Sequence, residues 1–102
     1  MYYIYFIQQY NDESCVKIGM TKDLSRRIKD LQTGNPSKLT YYKYFKISEC
    51  EKICKKLEKF LHTKCHKQCI RGEWFFLSLN ELENICVNID KYLQKEIKFL
   101  EI

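Results

Sequence analysis

The sequence predicts an α+β fold, in which a small antiparallel sheet of about three strands is flanked by helices. Aromatic and β-branched segments near the start and middle of the chain are bounded by polar residues, as is typical of strands. Between and after these segments, apolar residues recur every three or four positions, which is typical of helices. With 102 residues, the chain has the length of one domain, so we expect a single domain over residues 1–102.

The first predicted elements form a hairpin. Residues 2–8 are rich in aromatic and β-branched side chains and predict a strand. The polar segment 10–14 predicts a turn, and residues 15–20 predict a second strand. Since the connection is short, we expect the two strands to pair antiparallel.

A first helix should follow the hairpin. Thr21 is the expected N-cap, because a threonine side chain can accept a hydrogen bond from a free backbone N–H at a helix start. Leu24, Ile28 and Leu31 then fall on one face of a helix. Gly34 is the expected C-terminal stop.

The second half of the chain predicts one clear strand and a second helix. Residues 39–47 alternate and are aromatic-rich, so they predict the third strand. Ser48 and Glu51 have the spacing of a capping box, which predicts the start of the second helix. We expect a loop over residues 66–72, and residues 73–77 are too apolar to be exposed, so they predict a short strand or buried extended segment.

A second capping box predicts the last helix. Ser78 and Glu81 have the same spacing, and apolar residues at helical intervals continue to about residue 98. We therefore expect a C-terminal helix over about 79–98.

Composition limits the class of protein. The net charge of +5 is a mild excess that fits either an ordinary basic protein or one that binds nucleic acid. No apolar run approaches the ~20 residues of a membrane span, and the N-terminus lacks the pattern of a signal peptide. We expect an intracellular protein, in cytoplasm or nucleus and not secreted, without a membrane partner and with most of its six cysteines reduced.

Two residues stand out at the edges of predicted helix faces. Arg27 lies about 60° from the apolar stripe of its helix, so it either snorkels along the surface or points into a cleft beside the sheet. Its neighbour Arg26 lies on the far, solvated face. Glu58 flanks an apolar face, where a carboxylate can hold a hard divalent cation, although a solvated surface glutamate would satisfy the same pattern.

Cysteines and histidines in the second half of the chain raise a rival hypothesis, a structural zinc site. Thiolates and imidazoles bind Zn²⁺, but the spacing here is not that of the common zinc fingers and contains no paired CxxC. Buried thiols would explain part of the same pattern, so structural zinc is the less favoured interpretation. The residues concerned are Cys50, Cys54, His62, Cys65, His66 and Cys69.

Several short motifs occur in order at compact spacing. They are Tyr3-Ile4-Tyr5, Lys17-Ile18-Gly19-Met20-Thr21, Arg26-Arg27, Leu31-Gln32-Thr33-Gly34-Asn35-Pro36, Leu57-Glu58 with Leu61-His62, and Gly72-Glu73-Trp74-Phe75. Over about residues 2–77 the chain thereby resembles the GIY-YIG endonuclease superfamily, and in particular the branch found in phages and large DNA viruses.

The resemblance implies a viral endonuclease that hydrolyses phosphodiester bonds in DNA with one divalent metal. By similarity, Glu58 would hold Mg²⁺ or Mn²⁺, and Arg27 would stabilise the charge that develops on the phosphate. Tyr5 and Lys17 would position or deprotonate the attacking water. Lys17 stands where the family has a tyrosine, so either Tyr5 or Lys17 is the base, or Lys17 contacts the substrate phosphate. The late asparagine of many family members has no clear match, and Glu73 lies near its place.

The expected partner is DNA, contacted mainly through its backbone by a basic face. As substrate-binding residues we expect Gly19, Lys22, Arg26 and His62. Trp74 is more typical of a packed core residue than of a base-stacking platform. The alternatives are a non-catalytic module on the same fold, which binds nucleic acid or protein, and a zinc-stabilised adaptor. A homodimer would let a lone nuclease domain cut both strands.

Overall fold

The computed structural model describes the backbone of residues 1–101 and the side chains of residues 1–95. It confirms the α+β class, but the sheet has five strands rather than about three, and their order is β3-β1-β2-β5-β4. Every adjacent pair of strands is antiparallel. The elements are β1 (Tyr2–Gln9), β2 (Asp12–Thr21), α1 (Leu24–Gln32), β3 (Leu39–Ser48), α2 (Glu51–Lys64), a 3₁₀ turn (His66–Gln68), β4 (Cys69–Arg71), β5 (Trp74–Phe76) and α3 (Leu79–Glu101).

The predicted hairpin is present, with a tighter connection than expected. β1 ends at Gln9 and β2 begins at Asp12, so two residues join them instead of the predicted segment 10–14. The register places Tyr5 opposite Gly19 and is irregular between Gln8 and Gln9. Polar composition therefore misplaced the strand end, because the backbone pairing continues through polar residues.

The two additional strands come from the segment predicted as a loop and from the short extended segment after it. Residues 66–72 contain a 3₁₀ turn and β4, which pairs with β5. Gly72 lies between them with φ of 56°, a left-handed conformation that suits glycine because it has no Cβ. β4 is exposed along its length, so it lacks the buried alternation that identifies a strand from sequence.

The sheet separates two cores. On one face, Ile4 and Phe6 pack with residues of α2 and α3 in the main core. On the other face, Tyr5 and Ile7 pack with Leu39 and with the apolar stripe of α1. This division follows from the alternation of side chains along β1, and it places α1 and α2 on opposite faces of the sheet.

The start of α1 differs from the prediction. Asp23, not Thr21, is the N-cap, and its carboxylate accepts a hydrogen bond from the backbone N–H of Arg26 at 3.0 Å. Thr21 still belongs to β2, where its hydroxyl accepts a hydrogen bond from the Asp23 backbone N–H at 3.1 Å. The strand thus extends one residue beyond its predicted end.

The two predicted capping boxes have different outcomes. Ser48 is the last residue of β3, so α2 begins later, with Cys50 as an N-cap that makes no side-chain capping bond. The box of α3 is confirmed. The backbone N–H of Ser78 donates to Glu81 at 3.2 Å, and the backbone N–H of Glu81 donates to the Ser78 hydroxyl at 3.2 Å. Within the residues searched, no helix is both long and apolar enough to cross a membrane.

Candidate functional site

The candidate site lies at an open edge of β2, defined here as residues 19–21, beyond the Ile18 N–H that donates to the Glu73 carbonyl. β2 pairs with β1 along this stretch, but β5 pairs with β2 only through residues 15–17. Because β5 is so short, side chains from both faces of the sheet reach the same edge. The edge therefore brings α1 and α2 to one place, although the sheet otherwise separates them.

A cleft of about 540 Å³ opens at this edge. It includes three of the predicted catalytic residues, Tyr5, Arg27 and Glu58, together with the predicted substrate-binding residue Lys22. Its walls come from β1, β2, α1 and α2 and from the residue before β5. The remaining lining residues are Tyr2, Met20, Thr21, Glu51, Lys55 and Glu73.

Tyr5 lies at the bottom of the cleft, and Gly19 makes room for it. The Tyr5 side chain is buried, and a Cβ built on Gly19 would lie 2.3 Å from the Tyr5 hydroxyl oxygen. Gly19 is itself buried, so its lack of a side chain accommodates Tyr5 directly. Burial raises the pKa of Tyr5, although the positive charge of Arg27 opposes that rise. Tyr5 therefore presents a neutral hydroxyl at physiological pH.

Arg27 and Glu58 enter the cleft from opposite faces of the sheet. Arg27 is on α1 and exposed, and its side chain lines the cleft. Of the two predicted positions, along the helix surface or in a cleft beside the sheet, the structure shows the second. Glu58 is on α2 and half-buried. Burial and the negative charge of Glu73 raise the pKa of Glu58, whereas nearby His62 and the Met20 backbone lower it.

Glu58 also belongs to a group of potential metal ligands. One ligand atom each from Glu58, His62 and Glu73 lies within 4.8 Å of the others. The Nε2 atom of His62 lies 2.8 Å from the carbonyl oxygen of Ile18. A carbonyl can only accept, so Nε2 carries the proton in this contact and Nδ1 keeps its lone pair in the neutral ring. Carboxylates and a neutral imidazole are suitable ligands for a divalent cation.

Lys17 does not line the cleft. Its ammonium group forms an ion pair with Glu73 at 3.2 Å and lies over the ring of Trp74, 5.6 Å from its centroid. The side chain is only 13% exposed. Trp74 packs against the core on the α1 face, as expected for a core residue.

The other predicted substrate-binding residues lie around the site. Lys22 is exposed, and its ammonium group lies 5.8 Å from the centroid of the Tyr2 ring. Arg26 is exposed on α1 and makes a long ion pair of 3.9 Å with Asp30. His62 lies on α2, one turn beyond Glu58.

Of the residues in the rival zinc hypothesis, His62 belongs to this group and the cysteines do not. All six cysteines are free thiols, and none belongs to the ligand group found among the described residues. Cys54 and Cys65 are buried, whereas Cys50 and Cys69 are exposed.

Sequence reasoning missed the position of Glu73 in the ligand group and that of Lys55 in the cleft wall. The sequence places Glu73 only near the position of the family's late asparagine and gives it no role as a ligand. A carboxylate next to a short apolar strand was the available signal, but the position of that strand beside β2 depends on long-range pairing. Lys55 precedes Glu58 by three residues, so the helical period would place both on one side of α2.

Comparison with known proteins corrects the proposed resemblance. The family model that matches is the T5orf172 domain, over residues 2–90, and it overturns the assignment to the GIY-YIG endonuclease superfamily. That assignment depended on short motifs such as Lys17-Ile18-Gly19, whereas the family model matches most of the chain. The T5orf172 family is nuclease-associated and indicates a nuclease or DNA-related function.

A curated relative is a viral protein. The chain is 34% identical over 82 residues to "Uncharacterized protein 460R" of Invertebrate iridescent virus 6. The match covers 79% of this chain and 36% of the viral protein, so the chain spans about a third of that relative's length. No solved structure matches. The match over residues 2–90 shows that this chain is a member of the T5orf172 domain family.

Proposed function

We propose that this chain is a metal-dependent nuclease that hydrolyses phosphodiester bonds in DNA. The observation that carries the proposal is the meeting of Tyr5, Arg27 and Glu58 in one cleft at the open edge of β2. These side chains come from three separate elements. A neutral hydroxyl, a fixed positive charge and a carboxylate beside a possible ligand group form a suitable set for phosphate chemistry.

Glu58 is the proposed ligand for Mg²⁺ or Mn²⁺. It is half-buried and lies at the boundary of the cleft, so a bound cation would be close to a phosphate in the cleft. A divalent cation held there would supply Lewis-acid stabilisation of the phosphate charge. The negative charge of nearby Glu73 makes a cation at this position more favourable.

Arg27 is the proposed stabiliser of the developing phosphate charge. A guanidinium group is always charged and presents several N–H donors, which suits phosphate oxygens. Its position on the α1 side of the cleft lets it act from the face opposite Glu58. With a cation at Glu58, a phosphate between the two residues would have positive charge on each side.

Tyr5 is proposed to orient the attacking water or the phosphate through its neutral hydroxyl. Its raised pKa makes the phenolate form, which a general base requires, scarce at physiological pH. Lys17 is proposed to act through Glu73, because its ammonium group pairs with that carboxylate at 3.2 Å and Lys17 itself does not line the cleft. An ammonium group has no lone pair with which to accept a proton.

DNA would bind through its backbone. Exposed basic residues border the cleft and the adjoining surface of α2, and they include Lys22, Lys55 and Lys59. Arg26 adds positive charge on the α1 side. Contacts of this kind are independent of sequence, and they weaken as the salt concentration rises because the release of counterions from DNA becomes less favourable.

The test is a cleavage assay with plasmid, branched and single-stranded DNA in the presence of Mg²⁺ or Mn²⁺. We expect cutting that is lost in both Glu58→Gln and Arg27→Ala, with a reduction of at least about 100-fold for each. Glu83→Gln and Lys95→Ala remove the same charges from exposed positions of α3, which does not line the cleft, and should cut normally.

Two results would contradict the proposal. Cutting that is unchanged in both cleft variants would mean a different active site or a contaminating nuclease. DNA binding that falls steeply with salt, without cutting of any of these DNA forms, would identify a non-catalytic binding module instead.

A further inference from the structure

The ligand group of Glu58, His62 and Glu73 contains two kinds of donor atom, and the kind of donor indicates which metal would bind. Glu58 and Glu73 offer oxygen atoms, whereas His62 offers nitrogen, and all three ligand atoms lie within 4.8 Å of one another. We propose that these three residues form one site for a divalent first-row transition metal and bind it in preference to Mg²⁺. The inference deepens the proposed nuclease function and rests on it for what the metal does, but not for whether the metal binds.

The sheet fixes the position of the His62 ring. Its Nε2–H donates to the carbonyl oxygen of Ile18 at 2.8 Å, and its ring lies 5.3 Å from that of Phe75, centroid to centroid. The hydrogen bond selects the tautomer in which Nδ1 has the lone pair. A second-shell carbonyl of this kind is the usual partner of a histidine that binds a metal.

The two carboxylates are also held by groups of β2 or next to it. Lys17 pairs with Oε2 of Glu73 at 3.2 Å, which leaves the other carboxylate oxygen free of that contact. The backbone carbonyl of Glu73 accepts a hydrogen bond from Ile18 at 3.1 Å, which anchors the residue to β2. Glu58 is half-buried beside Met20 of β2, and both residues line the cleft.

β2 therefore contacts two of the three side chains directly. Lys17 and Ile18 are adjacent in sequence, and each contacts a different ligand. Ligands that are oriented in advance lose less conformational entropy when a cation binds. This arrangement distinguishes the group from a chance cluster of surface acids, whose side chains would lack such partners.

The donor set indicates the class of cation. Mg²⁺ prefers oxygen ligands and keeps several waters, whereas imidazole nitrogen is a good ligand for the later first-row transition metals. Two carboxylates and one imidazole also leave coordination positions open, as a catalytic site requires. Mn²⁺ accepts both kinds of ligand, so it is a suitable probe.

The test is a calorimetric titration of the full 102-residue chain with Mn²⁺ and, separately, with Mg²⁺, which measures the affinity and the number of ions bound. We expect one Mn²⁺ per chain, bound at least about tenfold more tightly than Mg²⁺. His62→Ala should weaken Mn²⁺ binding about 10–100-fold and leave Mg²⁺ binding nearly unchanged, because Mg²⁺ relies on the carboxylates. Glu73→Gln should weaken the binding of both ions.

The second histidine provides a matched control. His66 is exposed in the 3₁₀ turn after α2 and is not in the ligand group, so His66→Ala should bind Mn²⁺ like the unchanged chain. A measurement on the unchanged chain avoids any folding defect of a variant: paramagnetic Mn²⁺ should broaden the NMR signals of the His62 ring before those of His66.

Several results would overturn the inference. These are Mg²⁺ binding as tight as Mn²⁺ binding, equal broadening of both histidines, or an unchanged Mn²⁺ affinity in His62→Ala. Failure of the nuclease proposal gives a different result, because selective Mn²⁺ binding without DNA cutting would support the site and contradict the enzyme.

Discussion

Replacement of Gly19 by alanine tests the packing between the two central strands. The added Cβ would lie 2.3 Å from the hydroxyl oxygen of Tyr5 and 2.5 Å from its Cζ, whereas an ordinary contact is 3.4–4 Å. The Tyr5 ring would therefore have to move by roughly 1 Å, and it is only 1% exposed. Overpacking of this kind costs about 1–3 kcal/mol.

The same displacement should affect the cleft. Tyr5 lies at its bottom, so under the proposed function a shift of about 1 Å in Tyr5 should lower the cleavage rate on the order of 100-fold. We expect Gly19→Ala to lower the free energy of unfolding in urea by about 1–3 kcal/mol. Trp74 fluorescence and circular dichroism are the two readouts.

Second-site variants identify the cause. Tyr5→Phe should not restore the stability of Gly19→Ala, because the Cζ atom remains, whereas the smaller Tyr5→Val should recover part of it in the double variant. Gly72→Ala is the contrasting control, since nothing lies within 4 Å of its added Cβ and only its φ of 56° causes strain. A Gly19→Ala chain as stable as the unchanged one, or one rescued by Tyr5→Phe, would refute the reasoning.

Three further predictions concern the helices and the thiols. Asp23→Ala should lower the unfolding free energy by about 1 kcal/mol, because α1 loses its N-cap. Urea denaturation should show a smaller loss for Thr21→Ala. A larger loss for Thr21→Ala would contradict the assignment of Asp23 as the cap. Hydrogen bonds from Ser78 lower the pKa of Glu81 below 4.5, so the stability that Glu81 contributes should be present above pH 4.5 and lost as the pH falls through the lowered value. The difference in unfolding free energy between the unchanged chain and Glu81→Gln should accordingly shrink in acid, and a difference independent of pH would contradict this origin. Burial raises the pKa of Cys54 and Cys86 to about 11, so a thiol reagent should modify the exposed cysteines first, and mass spectrometry of early products should find these two unmodified.

Local sequence patterns were sufficient to predict an element where the residues of that element alone determine its structure. The stripe of Leu24, Ile28 and Leu31 predicted both the helix and its buried face, and these residues pack on the core of that side. The capping box at Ser78 and Glu81 depends on residues three apart, so it too was readable from sequence. The same local logic was wrong at Ser48, because pairing of β3 with β1 extends the strand through that residue.

By itself, the sequence determined the α+β class, the principal elements and the candidate residues Tyr5, Arg27 and Glu58. Only the tertiary structure decided that β5 is too short to cover the end of β2, and that Glu73 and His62 join Glu58 there. The physical reason is that periodicity records which side of an element is buried, whereas a site is made by contacts between residues far apart in the chain. The meeting of α1 and α2 at one sheet edge depends on strand pairing and register, which no local pattern contains.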